Sequence, residues 1–408
     1  MLSVHTCPLA TLGGKETGGM NVYVRDLSRE LGRRGHQVDV FTRAQDPHIV
    51  DVRSLGENAR VVHLPAGPLA PYPKGQVYDH LPEFIRNVLN FAAQEGIRYD
   101  VIHSHYWLSG LVALELRQAW GVPIVQMFHT LGRIKNEAAQ REEEREPELR
   151  IRSEHRIIAG VDGIVAASPR EKEQMLELYG ADPAKIRVVP GGVDLNLFRP
   201  VPHPEAKAFV DVLPEDKLIL FVGRIEPVKG IETLIRAIAL GTQKMPNWRG
   251  QMCVSIIGGN PNGEENLDEE IQRLSHLKES LQLGDLVTFL GARDQDSLPH
   301  YYSAAEVCVV PSHYESFGMV ALEAMACGTP VIASRVGGLT FTVKDGQTGF
   351  LIPDGDARAL CDRVQRLLDD PGLRQRMGQQ ARQVAQHYSW PLIAERILKL
   401  YHPALGAG

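Results

Sequence analysis

Short runs of β-branched and other apolar residues alternate along the chain with stretches whose apolar positions recur at helical spacing, a rhythm that predicts parallel sheets wound with helices on both faces. Leu2-Ser3-Val4-His5 reads as the first strand, so either that strand is short or a few native residues precede it. Met20, Val24, Leu27 and Leu31 share one helical face, Gly32 and Gly35 close that helix, and Gln37 to Phe41 returns as a strand. Further strands are expected at Val101 to His103, Ile124 to Phe128, Ile164 to Ala166 and Arg187 to Val189. Ser168-Pro169 has the form of a helix cap followed by proline in the first turn. A first domain is expected over residues 1–196, ending just after Pro190-Gly191-Gly192-Val193-Asp194. The proline-bearing segment Pro200 to Pro214 reads as a linker, and Leu218 opens the first strand of a second domain over 197–387. Val254 to Ile257, Leu286 to Leu290, Val307 to Val310 and Val331 to Ala333 repeat the strand rhythm, and an amphipathic helix around Leu392 to Leu400 ends the chain. The halves share no sequence repeat, so they are alike in fold only.

A length of 408 residues suits two domains, each able to bury a sizeable core. The formal charge of −6, spread without a basic block, argues against nucleic acid or an anionic membrane as the main partner. Five cysteines without a C-x-x-C pair read as reduced core residues, and no stretch approaches about eighteen uninterrupted apolar residues. A soluble cytoplasmic protein with small-molecule partners is expected, and nothing in the chain specifies an oligomeric state. From Glu142 to Arg152 both charge signs are dense, and most of that segment reads as a solvated helix face.

The chemistry concentrates in two places. Glu315-Ser316-Phe317-Gly318-Met319-Val320-Ala321-Leu322-Glu323 follows the buried strand Val307 to Pro311 and runs into a helix over Met319 to Ala326, with Glu315 on the loop and Glu323 on the helix. The free N–H groups of the first helical turn suit hydroxyl or phosphate oxygens. Upstream, Gly223 makes a sharp turn between the strand Leu218 to Val222 and the helix Ile231 to Ala239, which puts Arg224 and Lys229 where open α/β sheets bind ligands. A planar guanidinium and a mobile ammonium fit a diphosphate. Alone, the two glutamates read equally well as a loop charge and a solvated helix position, and a lone Arg and Lys are more commonly solvated loop cations. Gly13-Gly14 and Gly18-Gly19 would let backbone N–H groups approach an anion. His129 follows the strand Ile124 to Phe128. His103 and His105 have no carboxylate or cysteine at ligand spacing, and Asp294-Gln295-Asp296 precedes a helix over Leu298 to Ala305, where Asp296 or Ser297 serves as an N-cap.

Together, Arg224 and Lys229 five positions apart, the E-x7-E segment, Gly18-Gly19-Met20-Asn21, His103-Ser104-His105-Tyr106-Trp107 and Phe128-His129-Thr130 resemble the retaining glycosyltransferases of family four. Among these, the chain looks most like the branch of sucrose-phosphate synthases and of the inositol-phosphate enzymes of mycothiol synthesis. The resemblance implies the GT-B fold: two Rossmann-like doubly wound α/β domains facing a cleft, the first completed by the last helix, 388–408. It implies a UDP-sugar as co-substrate, no tightly bound cofactor and no metal. Arg224 and Lys229 would stabilise the departing diphosphate, and Glu315 and His129 would contact the donor sugar. Gly18, Gly19, Phe317, Gly318, Met319, Val320 and Arg293 would cradle the donor, and Glu323 its ribose. Asn21, Lys74, Tyr106, Thr130 and Arg150 would meet a phosphorylated acceptor, with Arg152 as fallback and Lys135 nearby. Fructose 6-phosphate, giving sucrose 6-phosphate, is the favoured acceptor, because Gly132-Arg133-Ile134 departs from the small residues of the mycothiol enzymes. Transfer of N-acetylglucosamine to inositol 1-phosphate is the alternative. A UDP-sugar epimerase and a non-catalytic UDP-sugar sensor are the readings from other classes. Closure of the two domains on UDP is expected.

Overall fold

The computed structural model describes residues 1–10, 18–49, 51–70, 73, 75–139, 142, 145–259 and 269–404. Gly13-Gly14 and Lys74 lie outside the described residues. The chain divides into two compact units, one made of residues 1–10, 19–191 and the segment from Trp390 onward, the other of Gly18 and 192–389.

The first unit carries β1 (Val38–Arg43), β2 (Val52–Gly56), β3 (Ala59–Leu64), β4 (Ile102–His105), β5 (Ile124–Met127), β6 (Gly163–Ala166) and β7 (Ile186–Val188). β4 to β7 lie side by side in parallel, while β1 and β3 pair in parallel and β2 closes the other edge antiparallel to β3. Leu2 joins the two sets. It bridges Phe41 on one side and Ser104 on the other, donating to the His103 carbonyl at 2.9 Å and accepting from the His105 N–H at 3.0 Å. The expected first strand is therefore reduced to a single bridging residue between β1 and β4.

Every position of β1, β4, β5 and β6 is buried, as expected of strands covered on both faces. The helix Gly19–Arg33 packs on the final helix Trp390–Ala404, which also contacts β5 and buries Ile393, Ala394 and Ile397. The last helix is thus a working part of the first unit's core. Ser168 caps Pro169–Tyr179 by accepting from the Glu171 N–H at 3.2 Å.

The second unit is built on β8 (Lys217–Val222), β9 (Met252–Ile257), β10 (Val287–Gly291), β11 (Ala305–Val310), β12 (Val331–Ser334) and β13 (Gly349–Ile352). All pairings are parallel, in the order β10-β9-β8-β11-β12-β13. Numbered from β8, that is 3-2-1-4-5-6, the doubly wound order whose direction reverses between β8 and β11.

Three local expectations need correction. The stretch read as a linker contains the helix His203–Phe209, because Lys207 is buried against Glu306 at 3.3 Å and donates to the Pro214 carbonyl at 3.1 Å. Ser297 stands at the N-cap of Leu298–Ala304 without capping it; its hydroxyl donates to the Asp294 carbonyl instead. The charge-dense segment is mostly exposed among its described residues, and Arg150 is the exception that needs correction: the helix Glu148–Gly160 turns it, and Glu154 just beyond the segment, fully inward, where they pair with each other and with the groups that follow β5.

Candidate active site

In the second unit, Arg224 and Lys229 leave the carboxyl end of β8 and Glu315 that of β11, the two strands that flank the reversal of strand order. The crevice at such a point is where open α/β sheets bind ligands. Lys229 closes the short 3-10 turn Pro227–Lys229, and its ammonium lies 2.6 Å from a Glu315 carboxylate oxygen. Arg224 pairs with Glu226 at 2.6 Å. All three site side chains are half-buried.

The two connections are locked together. The His313 N–H donates to the Val228 carbonyl at 2.8 Å, and Gly230, with φ of +66°, rests so close on the Pro311 carbonyl that a β-carbon there would overlap it.

Glu315 is fixed by a neighbour not singled out in the sequence. The Gly338 N–H donates to its carbonyl at 2.9 Å, a β-carbon on Gly337 would overlap the same oxygen, and the Thr342 hydroxyl donates to the Phe317 carbonyl at 2.8 Å. Gly318, with φ of +88°, caps the helix Met319–Ala326, so the N–H groups of Met319 and Val320 begin it. Glu323, one turn on, is buried and accepts from the Tyr302 hydroxyl at 2.8 Å. Arg293 follows β10 and donates to Tyr301 at 3.0 Å. A β-carbon on Gly18 would stand 3.8 Å from the Arg224 Nε.

In the first unit, His129 and Tyr106 follow the carboxyl ends of β5 and β4 and are two of five non-glycine residues with positive φ among those described, at 60° and 74°. Backbone held in that region costs about 1–3 kcal/mol per residue, and such residues concentrate where surrounding structure fixes a functional side chain. One His129 ring nitrogen shares a hydrogen bond of 3.0 Å with His105, whose ring lies 4.3 Å from that of His103; His103 in turn bonds the Tyr401 hydroxyl at 2.7 Å. Burial pushes the pKa of His129 and of His103 down to about 3, and burial followed by its two histidine neighbours holds that of His105 well below the usual value. The three rings are neutral at physiological pH. The alternation His-Ser-His was the available signal, since residues two apart on a strand share a face.

Arg150 is the hub of the second cluster. Its Nε donates to Glu154 at 2.8 Å, Nη1 to the Tyr106 hydroxyl at 3.0 Å, and Nη2 to the carbonyl and hydroxyl of Thr130 at 2.7 and 3.0 Å. Glu146 pairs with Nη1 at 2.9 Å and also with Lys135. Burial works against the guanidinium charge, but Tyr106, Glu154 and Glu146 outweigh it and raise its pKa above the usual value. Glu154 also accepts from Tyr179 at 2.5 Å and from the Gly132 N–H at 2.9 Å, which ties the loop after β5 to the helix. Asn21, buried at the start of Gly19–Arg33, uses its amide nitrogen on Thr6 and on the Cys7 carbonyl, both at 2.7 Å. Gly19, exposed, is the first residue of that helix. Arg152 is exposed on the far side of its helix.

Among the described residues no group of three His, Cys, Asp or Glu side chains is arranged to hold a metal, and no helix is long and apolar enough to cross a membrane.

Comparison with known proteins adds a second line. The sequence pattern of the glycosyl transferases group 1 matches residues 204–384, and that of Glycosyltransferase Family 4 matches residues 17–197. A D-inositol 3-phosphate glycosyltransferase of Acidothermus cellulolyticus is 42% identical over 99% of this chain and 90% of its own. The solved structure of a sucrose-phosphate synthase of Thermosynechococcus elongatus superimposes with a TM-score of 0.92 at 38% identity, covering 100% of this chain and 98% of that one. Anabaena HepE, solved with UDP-glucose, shares the fold at 20% identity, with a TM-score of 0.74 over 98% of both chains.

Proposed function

Since the chain belongs to glycosyltransferase family 4 and has the GT-B fold, we propose that it moves a glucosyl unit from UDP-glucose to a phosphorylated sugar, fructose 6-phosphate first, with retention at the anomeric carbon. The observation that carries this reading is the Lys229–Glu315 pair beside Arg224 at the reversal point of the second sheet. As the bond from the anomeric carbon to the diphosphate lengthens, negative charge grows on the leaving oxygens and positive charge on the sugar. Cations and N–H dipoles already in place for the first charge lower the barrier by several kcal/mol. Arg224 and Lys229 supply the cations, and the N–H groups from Phe317 to Val320 the dipoles. Glu315 orients both Lys229 and the sugar hydroxyls, Glu323 braced by Tyr302 receives the ribose, Arg293 lines the donor side, and Gly18 and Gly19 bring backbone N–H groups toward the diphosphate. Neutral His129 donates or accepts a hydrogen bond at the sugar without adding charge.

The acceptor hydroxyl attacks from the face the diphosphate leaves. Its oxygen bonds the anomeric carbon, the carbon–phosphate oxygen bond breaks, and its proton passes to the departing phosphate. No metal takes part, so activity is expected to survive a strong chelator in magnesium-free buffer; complete loss reversed by metal would refute that. Tyr106, Thr130, Arg150 and Asn21 receive the acceptor and its phosphate, joined by Lys74 on the family pattern alone.

Inositol phosphate is the second reading. The inositol-phosphate relatives support it, and so does the course of Arg133, which donates to the Leu178 carbonyl and lies over the Tyr179 ring 5.5 Å away, so its size does not separate the two acceptors at the Arg150 cluster. The deciding experiment incubates UDP-glucose and UDP-N-acetylglucosamine with fructose 6-phosphate and with inositol phosphate and weighs the products. Sucrose 6-phosphate supports the first reading and an inositol glycoside the second. Donor consumed without acceptor would mean an epimerase, and UDP bound without turnover a sensor.

A further inference from the structure

We infer that Glu146 is a built-in anion in the seat of the acceptor phosphate, and that the acceptor binds by displacing it. The inference rests on the reading of Arg150 as the phosphate-binding arginine and adds a specificity device to it.

The geometry is that of an anion site already filled by a side chain. The Glu146 carboxylate bridges the Lys135 ammonium and the Arg150 guanidinium, 2.9 Å from Nη1, and is itself nearly buried. The hydroxyls of Tyr106 and Thr130 border the same guanidinium. Two cations around one carboxylate, one of them bordered by two hydroxyls, are the donor set a phosphate monoester uses. Every Arg150 nitrogen already faces an oxygen, so a phosphate cannot simply be added; it must replace a partner. Glu154 is the wrong one to lose. It lies deep in the unit and is held by Tyr179 and by the Gly132 N–H as well. Glu146 is the more exposed of the two, just before the helix Glu148–Gly160, on backbone pinned by Asn136, whose Oδ1 accepts from the Glu146 N–H at 2.6 Å and whose amide donates to the Glu146 carbonyl at 3.1 Å. Those bonds hold the backbone and do not engage the carboxylate.

Glu154 balances one of the two cations, and a charge left uncompensated in a buried cluster is strongly destabilising. Glu146 balances the second between turnovers and keeps Arg150 aligned. A dianionic phosphate outcompetes one carboxylate, whereas a neutral hydroxyl or a monoanion does not. The device therefore trades acceptor affinity for discrimination.

Glu146→Gln removes the competing charge and keeps the shape. Its KM for fructose 6-phosphate or D-inositol 3-phosphate, whichever is turned over, is expected to fall about three- to tenfold, with no parallel fall in the KM for the UDP-sugar. A sulfate ester of the same sugar, a monoanionic isostere, should become an inhibitor of the variant while inhibiting wild type weakly. An acceptor KM that stays put or rises would overturn the inference and make Glu146 a structural clamp. Arg150→Lys separates the two layers. If its acceptor KM equals that of wild type, the phosphate reading itself fails; if that KM rises while Glu146→Gln gains nothing, only the displacement fails. Should the Gln variant not fold, crystals of the wild-type protein grown with the phosphorylated acceptor decide. Glu146 swung away from Arg150, with phosphate oxygens in its place, supports the inference; the Glu146–Arg150 contact intact beside bound acceptor refutes it.

Discussion

The charges that matter here are held by their partners as much as by position. Lys229 is aimed by Glu315 and Arg224 by Glu226. Replacing both cations with alanine is expected to lower kcat by at least about 100-fold, the size seen when a preorganised donor to a developing anion is removed; unchanged turnover in a product-release assay would remove the proposed chemistry altogether. Glu171 offers a separate test. Burial pushes its carboxyl up to about 7 against the opposing Ala167 N–H, which it accepts at 2.5 Å. A carboxyl raised on folding contributes stability that is complete below its ordinary pKa of 4.5 and lost as pH rises through 7, with a ceiling of about 3 kcal/mol. Glu171→Gln should therefore be more stable relative to wild type at pH 8 than at pH 5, as read by urea denaturation at the two pH values. A difference that does not change with pH would show that Glu171 titrates normally.

The loops at the carboxyl ends of β8, β11 and β12 act as one element. Gly230 seats the first against the second, and Gly337-Gly338 seat the third against Glu315. Gly230→Ala and Gly337→Ala each force a β-carbon onto a carbonyl oxygen in a left-handed backbone, φ +66° and +43°. Each should cost roughly 1–3 kcal/mol in stability and weaken UDP binding in calorimetry. UDP affinity equal to wild type would mean that the cations do not depend on this seating. Much of this was legible in advance. The turn at Gly223, the cap at Ser168 and the helix from Met319 follow from local spacing. The helix His203–Phe209 was not, because a proline-rich stretch reads as a linker unless the buried Lys207–Glu306 pair, distant in sequence, is known.

The last helix of the chain belongs to the first unit, where Trp390, Ile393, Ile397 and Tyr401 are buried and Tyr401 bonds His103. Truncation after Ser389 is expected to remove amide-exchange protection from residues 19–191 while 192–389 keep theirs; equal protection in both would show that the helix is dispensable. The alternation of strands and helices, the two-unit plan and the positions of Arg224, Lys229, Glu315 and His129 at the ends of their strands were determined by sequence, because hydrophobic period and turn chemistry are encoded within about a dozen neighbouring residues, whereas β2, β3 and β13 and the order of strands in the sheets were not. What the tertiary structure decided is the company those side chains keep. The segment around Arg150 reads as a solvated face from its charges, yet the fold drives Arg150 and Glu154 inward. The neutral His103–His105–His129 row, the Tyr302 brace on Glu323 and the Glu146 carboxylate in the arginine's grip likewise depend on burial and on contacts between separate elements. Desolvation and charge pairing act through space, and the residues they join stand far apart along the chain.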